Sequence, residues 1–269
     1  MLRNAFAYIT RKWPKSLLLF AIILLMGTLS LIGLSMKGAT QQASSESLGS
    51  ITNSFSMQIN RRTNPGTPRG AGNLRGEDIE KISQVEGITS SIKRINAIAD
   101  ILDHEIIETE ETLQNQSPER AKHFKNTLMV TGVNDSSKED KFVSGAYKLV
   151  QGEHLTDKDK NQILMHEDLA KKNGLKVGDK VRLKSNLYDA DNEKGANETV
   201  EVTIKGLFSG KNQAPLTYAQ ELYEDTLISD LDTAAKLYGN TVQTATYEDA
   251  TFFAKGCLLY TSPSPRDTR

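Results

Sequence analysis

The chain reads as an α+β protein: an N-terminal transmembrane helix with a stalk, followed by a mixed α+β domain outside the cytoplasm. Three observations predict it. Residues 17–36 carry no charge and almost no polarity, and the four bases Arg3, Arg11, Lys12 and Lys15 precede them. From residue 77 onward, short helical and strand-like patterns alternate, separated by Gly, Asn and Asp. That alternation is irregular and shows no internal repeat, which argues for segregated α and β elements rather than a regular parallel sheet.

Each element follows from local pattern. Leu2, Phe6, Ile9 and Trp13 recur at helical spacing, with Arg3, Asn4, Thr10, Arg11 and Lys12 on other faces. Residues 1–13 are therefore expected to lie as an amphipathic helix in the cytoplasmic interface, with Tyr8 and Trp13 at headgroup depth. Pro14 ends it and is tolerated in the first turn of the next helix. That next helix, residues 14–37, contains the twenty apolar positions, which span roughly 30 Å at 1.5 Å per residue. Its eight Leu, three Ile and one Phe at about −0.5 kcal/mol each favour insertion by roughly 6 kcal/mol, enough to carry Gly27, Thr28, Ser30, Gly33 and Ser35. Only Lys37 follows the span before Glu46, so the basic flank keeps the N-terminus cytoplasmic and residues 38 onward outside the cell membrane. A cleaved signal peptide competes with this reading. Its apolar core would run about 7–15 residues, and the small residues Gly38 and Ala39 come only after Met36 and Lys37.

Beyond the membrane, Leu48, Ile51 or Thr52, Phe55 and Ile59 repeat every three to four residues in a Ser/Gln/Asn-rich background. Residues 38–60 are expected to continue as a helical stalk with one apolar stripe. Residues 64–73 are a Pro/Gly loop. The core domain, 61–255, then predicts a helix over 77–85 closed by Gly87, strand-like alternation over 89–101 and a buried strand over 127–133. A short strand over 162–165 leads into a helix over 167–172, which ends at Asn173-Gly174. Val177 to Val181 is a tight turn between strands. A long strand follows over 198–208, then a helix over 229–238 and a strand over 245–253.

Composition excludes more than it assigns. Residues 38–255 hold 26 basic and 33 acidic residues, a mildly acidic surface that argues against a nucleic-acid partner. The four histidines, His104, His123, His154 and His166, are far apart in sequence, and no cysteine joins them, so no metal site is expected. Asp189-Ala190-Asp191-Asn192-Glu193-Lys194-Gly195 resembles the start of a calcium loop, but its glycine comes one place late and Val200 stands where the bidentate carboxylate belongs. A charged surface hairpin is the better reading. The glycines and lysine of 174–180 lack phosphate-loop spacing, and Asp179 would repel phosphate. No Gly-x-Ser-x-Gly occurs. No catalytic, cofactor-binding or metal-binding residue is assigned.

Several stretches carry a family resemblance. They are Asn4 to Lys12 followed by Ser16-Leu17-Leu18-Leu19; Gly152-Glu153-His154-Leu155-Thr156; Gln162 to Ala170; Gly174 to Val181; and Val200 to Phe208. Together they resemble the permease subunits of ABC exporters in the MacB/FtsX superfamily. Asn53 to Arg62 and Thr131 to Tyr147 are similar to its Vex-type members from Gram-positive cocci. The resemblance implies a MacB-like core domain on the outer side of the cell membrane, a second permease subunit as homo- or heterodimer partner, and membrane lipid around the span. It also implies a separate ABC ATPase subunit that hydrolyses ATP, the permease itself being no enzyme. Such a subunit transmits ATPase-driven motion to the outer domain and exports a peptide, lipid or antimicrobial compound. The family carries three more spans near the C-terminus. Here residues 256–269, beginning near Cys257, resemble the translation of a transposase-type sequencing adaptor, so a fragment truncated after the core domain is expected. The alternative is a single-pass, membrane-anchored extracellular binding or sensor protein.

Overall fold

A computed structural model describes residues 54–60, 62–63, 72–115, 117–211 and 222–254, with Pro14, Leu24 and Met26 as isolated helical, exposed residues. The chain divides into two units, Met1–Asn53 and Ser54–Arg269. The interfacial helix, most of the span, the stalk as far as residue 53, and the 256–269 tail lie outside the described residues. Among the described residues no helix is long and apolar enough to cross a membrane.

The second unit is α+β. Its strands are β1 (Ser54–Gln58), β2 (Leu74–Arg75), β3 (Ile88–Leu102), β4 (Thr127–Val133), β5 (Lys148–Gly152) and β6 (Gln162–His166). They continue with β7 (Lys180–Ser185), β8 (Thr199–Ser209), β9 (Thr226–Asp230), β10 (Thr246–Tyr247) and β11 (Asp249–Ala254). The helices are α1 (Gly76–Ser83), α2 (Glu110–Asn115), α3 (Pro118–His123), α4 (Asp140–Val143), α5 (Glu167–Lys172) and α6 (Leu231–Leu237).

Six strands close on themselves. Going round, β3 pairs with β4, β4 with β9, β9 with β6, β6 with β8, β8 with β7, and β7 again with β3. Closure leaves this barrel without an open seam of unpaired backbone groups. The β4/β9 and β6/β8 pairs are parallel and the other four antiparallel. Two additions hang from the ring: β11 and then β1 on the first half of β3, and β5 on β8.

The ring has an internal two-fold order that the sequence does not announce. Strand, strand, strand and helix occur twice, as β3-β4-β6-α5 and β7-β8-β9-α6. In each set the third strand lies parallel to the second strand of the other set. Both helices start from a side-chain cap at the end of that third strand: His166 accepts from Asp168 N, and Asp230 from Thr233 N. Past each helix the backbone turns through a left-handed glycine, Gly174 at φ 66° and Gly239 at φ 64°.

Two apolar clusters form the interior. The larger gathers Ile95, Ala97, Ala99 and Ile101 of β3 with Val181, Leu183, Val202, Ile204 and Leu227 of other ring strands, and with Leu169, Ala234 and Leu237 of the helices. The smaller lies on the opposite strand faces: Val133, Leu164, Phe208 and Ile228, roofed by Tyr147 and Leu155. Because β4, β6 and β9 are covered on both sides, nearly every one of their residues is buried.

Several expectations need correction. The last part of the predicted helical stalk is the strand β1, because Ser54 to Gln58 pair rung by rung with β11, and Phe55 stacks on Phe252 at 5.2 Å. The helix expected over 229–238 starts two residues later. Ser229 and Asp230 end β9, a strand buried along its whole length and so without alternation to reveal it. The turn at Gly178 joins α5 to β7 rather than two strands.

Candidate functional site

Two places on the second unit gather polar side chains around a structural discontinuity. The first is where β3 leaves the barrel. β3 runs fifteen residues, too long for one ladder, and it serves three, the last being β7 at its C-terminal end. Ile88 to Arg94 pair with β11, and Arg94 to Asp100 pair with β4. Arg94 is the one position of β3 that stands opposite both β11 and β4, through Asp249 and Val133. Beyond it β4 ends, and the Asn134 side chain takes over the next rungs by accepting from Lys93 N (2.8 Å) and donating to Ser91 O (2.8 Å). The Arg94 guanidinium pairs with Asp249 on β11 and reaches Asp140 of α4 at 3.4 Å, while its Nε is buried without a partner among the described residues. Burial pushes the Asp249 carboxyl above the usual carboxylate range, and the Arg94 charge opposes that shift.

The second place is a cleft of about 320 Å³ between the N-terminal end of α1, the middle of β3, the β7–β8 loop and the turn after α6. Its charged lining is mixed: Arg75 and Lys194 against Glu77, Asp191 and Glu193. At its inner end the Tyr238 hydroxyl donates to Asp189 and accepts from Ile98 N at 3.1 Å. Burial beside the Asp189 carboxylate holds that phenol protonated far above its ordinary range. The calcium-like stretch is thereby accounted for as a loop clamp. Buried Asn192 donates to Asn186 O and Ala196 O and accepts from Ala196 N, which folds the loop so that Asp189 reaches Tyr238.

The histidines are dispersed among separate tasks. His166, almost fully buried, donates from Nε2 to Gly210 O (2.8 Å) while Nδ1 caps α5. His154 Nδ1 bonds Ser136 Oγ at 2.9 Å, and that oxygen also accepts from Leu155 N. His123 packs on Tyr188. Among the described residues no group of three His, Cys, Asp or Glu stands close enough together to hold a metal ion.

One buried acid escaped sequence reasoning. Asp225, preceding β9, is fully buried. Its Oδ1 accepts from Ile107 N at 2.7 Å, and its Oδ2 has no partner among the described residues. Burial pushes its pKa up to about 8, with Glu224 and Glu108 adding to the shift and Lys172 opposing it. An Asp in a run as ordinary as Tyr-Glu-Asp-Thr gives no signal of this. Only the fold removes it from water.

Neither place assembles a nucleophile, a base and an oxyanion pocket. What they share is the joining of separate elements through side chains. Against known families, residues 16–253 match the MacB-like periplasmic core domain. The chain belongs to that family. Two solved structures are similar to this MacB-like core domain. One is the extracellular domain of the noncanonic ABC-type transporter YknZ from Gram-positive bacteria, 14% identical, covering 76% of this chain and 83% of that one, with a TM-score of 0.38. The other is the periplasmic region of MacB from Actinobacillus actinomycetemcomitans, 18% identical over 81% and 80% of the two chains, with a TM-score of 0.43. Among curated proteins none matches the MacB-like chain by sequence.

Proposed function

We propose that the chain is the membrane-anchored permease subunit of an ABC exporter, non-catalytic itself. It carries motion generated by a separate ATPase into its outer domain, to move a peptide, lipid or antimicrobial compound. Family membership supports this reading, and one observation carries it. The first and last described strands are neighbours, with Ser54 opposite Phe253 and Gln58 opposite Asp249. The chain therefore enters and leaves the domain at one end of one hairpin-like pair. A displacement of the flanking segments acts on β1 and β11 together and passes to the barrel through the first half of β3, on which β11 is paired, and through the core that Ala250 and Phe252 share with the barrel strands. In this reading the apolar run at 17–36 anchors the chain, and a second permease subunit completes the pore.

Two measurements test it. In a Cys257→Ser background, used for both measurements, a membrane-impermeant maleimide added to intact cells should label Thr199→Cys, an exposed β8 position; labelling only after lysis would place the domain inside. With its ATPase present, ATP should change the distance between spin labels at Ser90→Cys on β3 and Thr199→Cys on the barrel. A distance indifferent to nucleotide would leave the alternative, an anchored extracellular binding or sensor protein, which the cleft beside Tyr238 favours.

A further inference from the structure

We propose that Arg94 is a positioning residue: it fixes the angle between the β1–β11–β3 ribbon and the barrel, and so sets how much of a displacement at the ribbon arrives in the barrel. The inference deepens the permease reading and rests on it for its biological meaning, but its geometry stands alone.

Three separate observations converge on this side chain. By register, Arg94 is the rung shared by the β11 and β4 ladders, with ribbon on one side and barrel on the other. By reach, its guanidinium spans from Asp249 on the ribbon to Asp140 on α4, and α4 leads into Tyr147 and the smaller apolar cluster against the barrel wall. By backbone, its carbonyl accepts from Glu248 N at 2.9 Å, which fixes the residue preceding β11 to the same point. A strand passing from one ladder to another is free to twist about its own axis at the transition. Here the transition is locked on one side by the Asn134 amide and on the other by the ion pair. The pair is well shielded, with side-chain exposures of 26% for Arg94 and 23% for Asp249, so solvent does not dilute it as it would a surface pair. The planar guanidinium presents its donors in a fixed fork that suits a bridge between two carboxylates, a geometry that a lysine ammonium on its flexible stem does not impose.

The test uses the full chain in lipid nanodiscs, with Cys257→Ser and spin labels at Ser90→Cys and Thr199→Cys, without ATPase or nucleotide. The parent should give one narrow distance distribution. Arg94→Gln should lose it, giving a broad or multiple distribution, while near-ultraviolet circular dichroism and the melting of the barrel stay as in the parent. Arg94→Lys should fall between the two. The reciprocal pair Arg94→Asp with Asp249→Arg should restore the narrow distribution. A distribution unchanged in Arg94→Gln, or a charge swap as broad as the single variant, would overturn the assignment. If Arg94→Gln fails to fold, Asp249→Asn carries the same comparison, because Asp249 is the shielded partner of the pair. Adding ATPase and ATP is a separate arm: no response there counts against the permease reading and leaves the clamp standing.

Discussion

Asp225 makes the domain's stability depend on pH in an unusual direction. Burial pushes its pKa up to about 8, whereas in the unfolded chain it ionises near the ordinary value of 3.8. Between those values the folded state holds the extra proton, so raising the pH favours unfolding, by at most about 1.4 kcal/mol per pH unit, and the penalty levels off above the upper value. Asp225→Asn keeps an acceptor for Ile107 N and removes the titration. The expected result is a gain in urea midpoint over the parent that is larger at pH 8 than at pH 5; a difference between variant and parent that stays the same at both pH values would contradict it. Capping residues give a second residue-scale prediction. Asp230 is 2% exposed and accepts from Thr233 N, Thr233 Oγ1 and Gln162 N. Asp230→Ala strips all three donors in a dry site and should cost about 3 kcal/mol in chemical denaturation, more than a surface cap would.

At the level of elements, the approach of α6 to β4 is set by the absence of a side chain. A Cβ on Gly132 would stand 2.4 Å from the Ala234 Cβ. Gly132→Ala must push the helix outward, at a cost of about 1–3 kcal/mol, and should lower the melting temperature and alter the environment of Tyr238. An unchanged melting curve would mean that α6 docks loosely. For the predicted span, Leu24→Arg places a charge amid apolar neighbours and should oppose insertion by about 3 kcal/mol; undiminished recovery in the membrane fraction would count against the span. The elements also show what pattern alone reveals. The strand 127–133 and the helix 167–172 were legible to the residue, because a Thr/Val/Leu/Met run and an Asn-Gly stop are strong local signals. β1 was not, since Leu48, Phe55 and Ile59 fit a helical stripe while Phe55 and Met57 equally fit a two-residue period; only pairing with β11 decides. β9 hid for the opposite reason, being apolar or small on both faces.

For the molecule as a whole, the closed ring and the ribbon should differ in local stability. Amides of β4, β6 and β9 are interior rungs, whereas β1 bonds to β11 alone among the described strands. Hydrogen exchange should therefore be slowest in those ring strands and fastest in β1, with β11 between; β1 protected as strongly as β4 would deny the ribbon any independence. The candidate places were less legible than the fold. Arg94, Asp249 and Asp140 are 46 to 155 positions apart in sequence, and nothing local marks a residue that matters because two ladders meet on it. The two-fold order was invisible for a related reason: His166 and Asp230 serve one task with different chemistry, and the helices between cap and glycine differ in length.

The interleaved halves have a practical consequence. β6 lies between β8 and β9, and β9 lies between β4 and β6, so each half lends its last strand to the other like fingers of two clasped hands. Cleaving the backbone between α5 and β7 should leave two polypeptides that stay together through gel filtration. Made separately, neither should hold a fold until the other arrives.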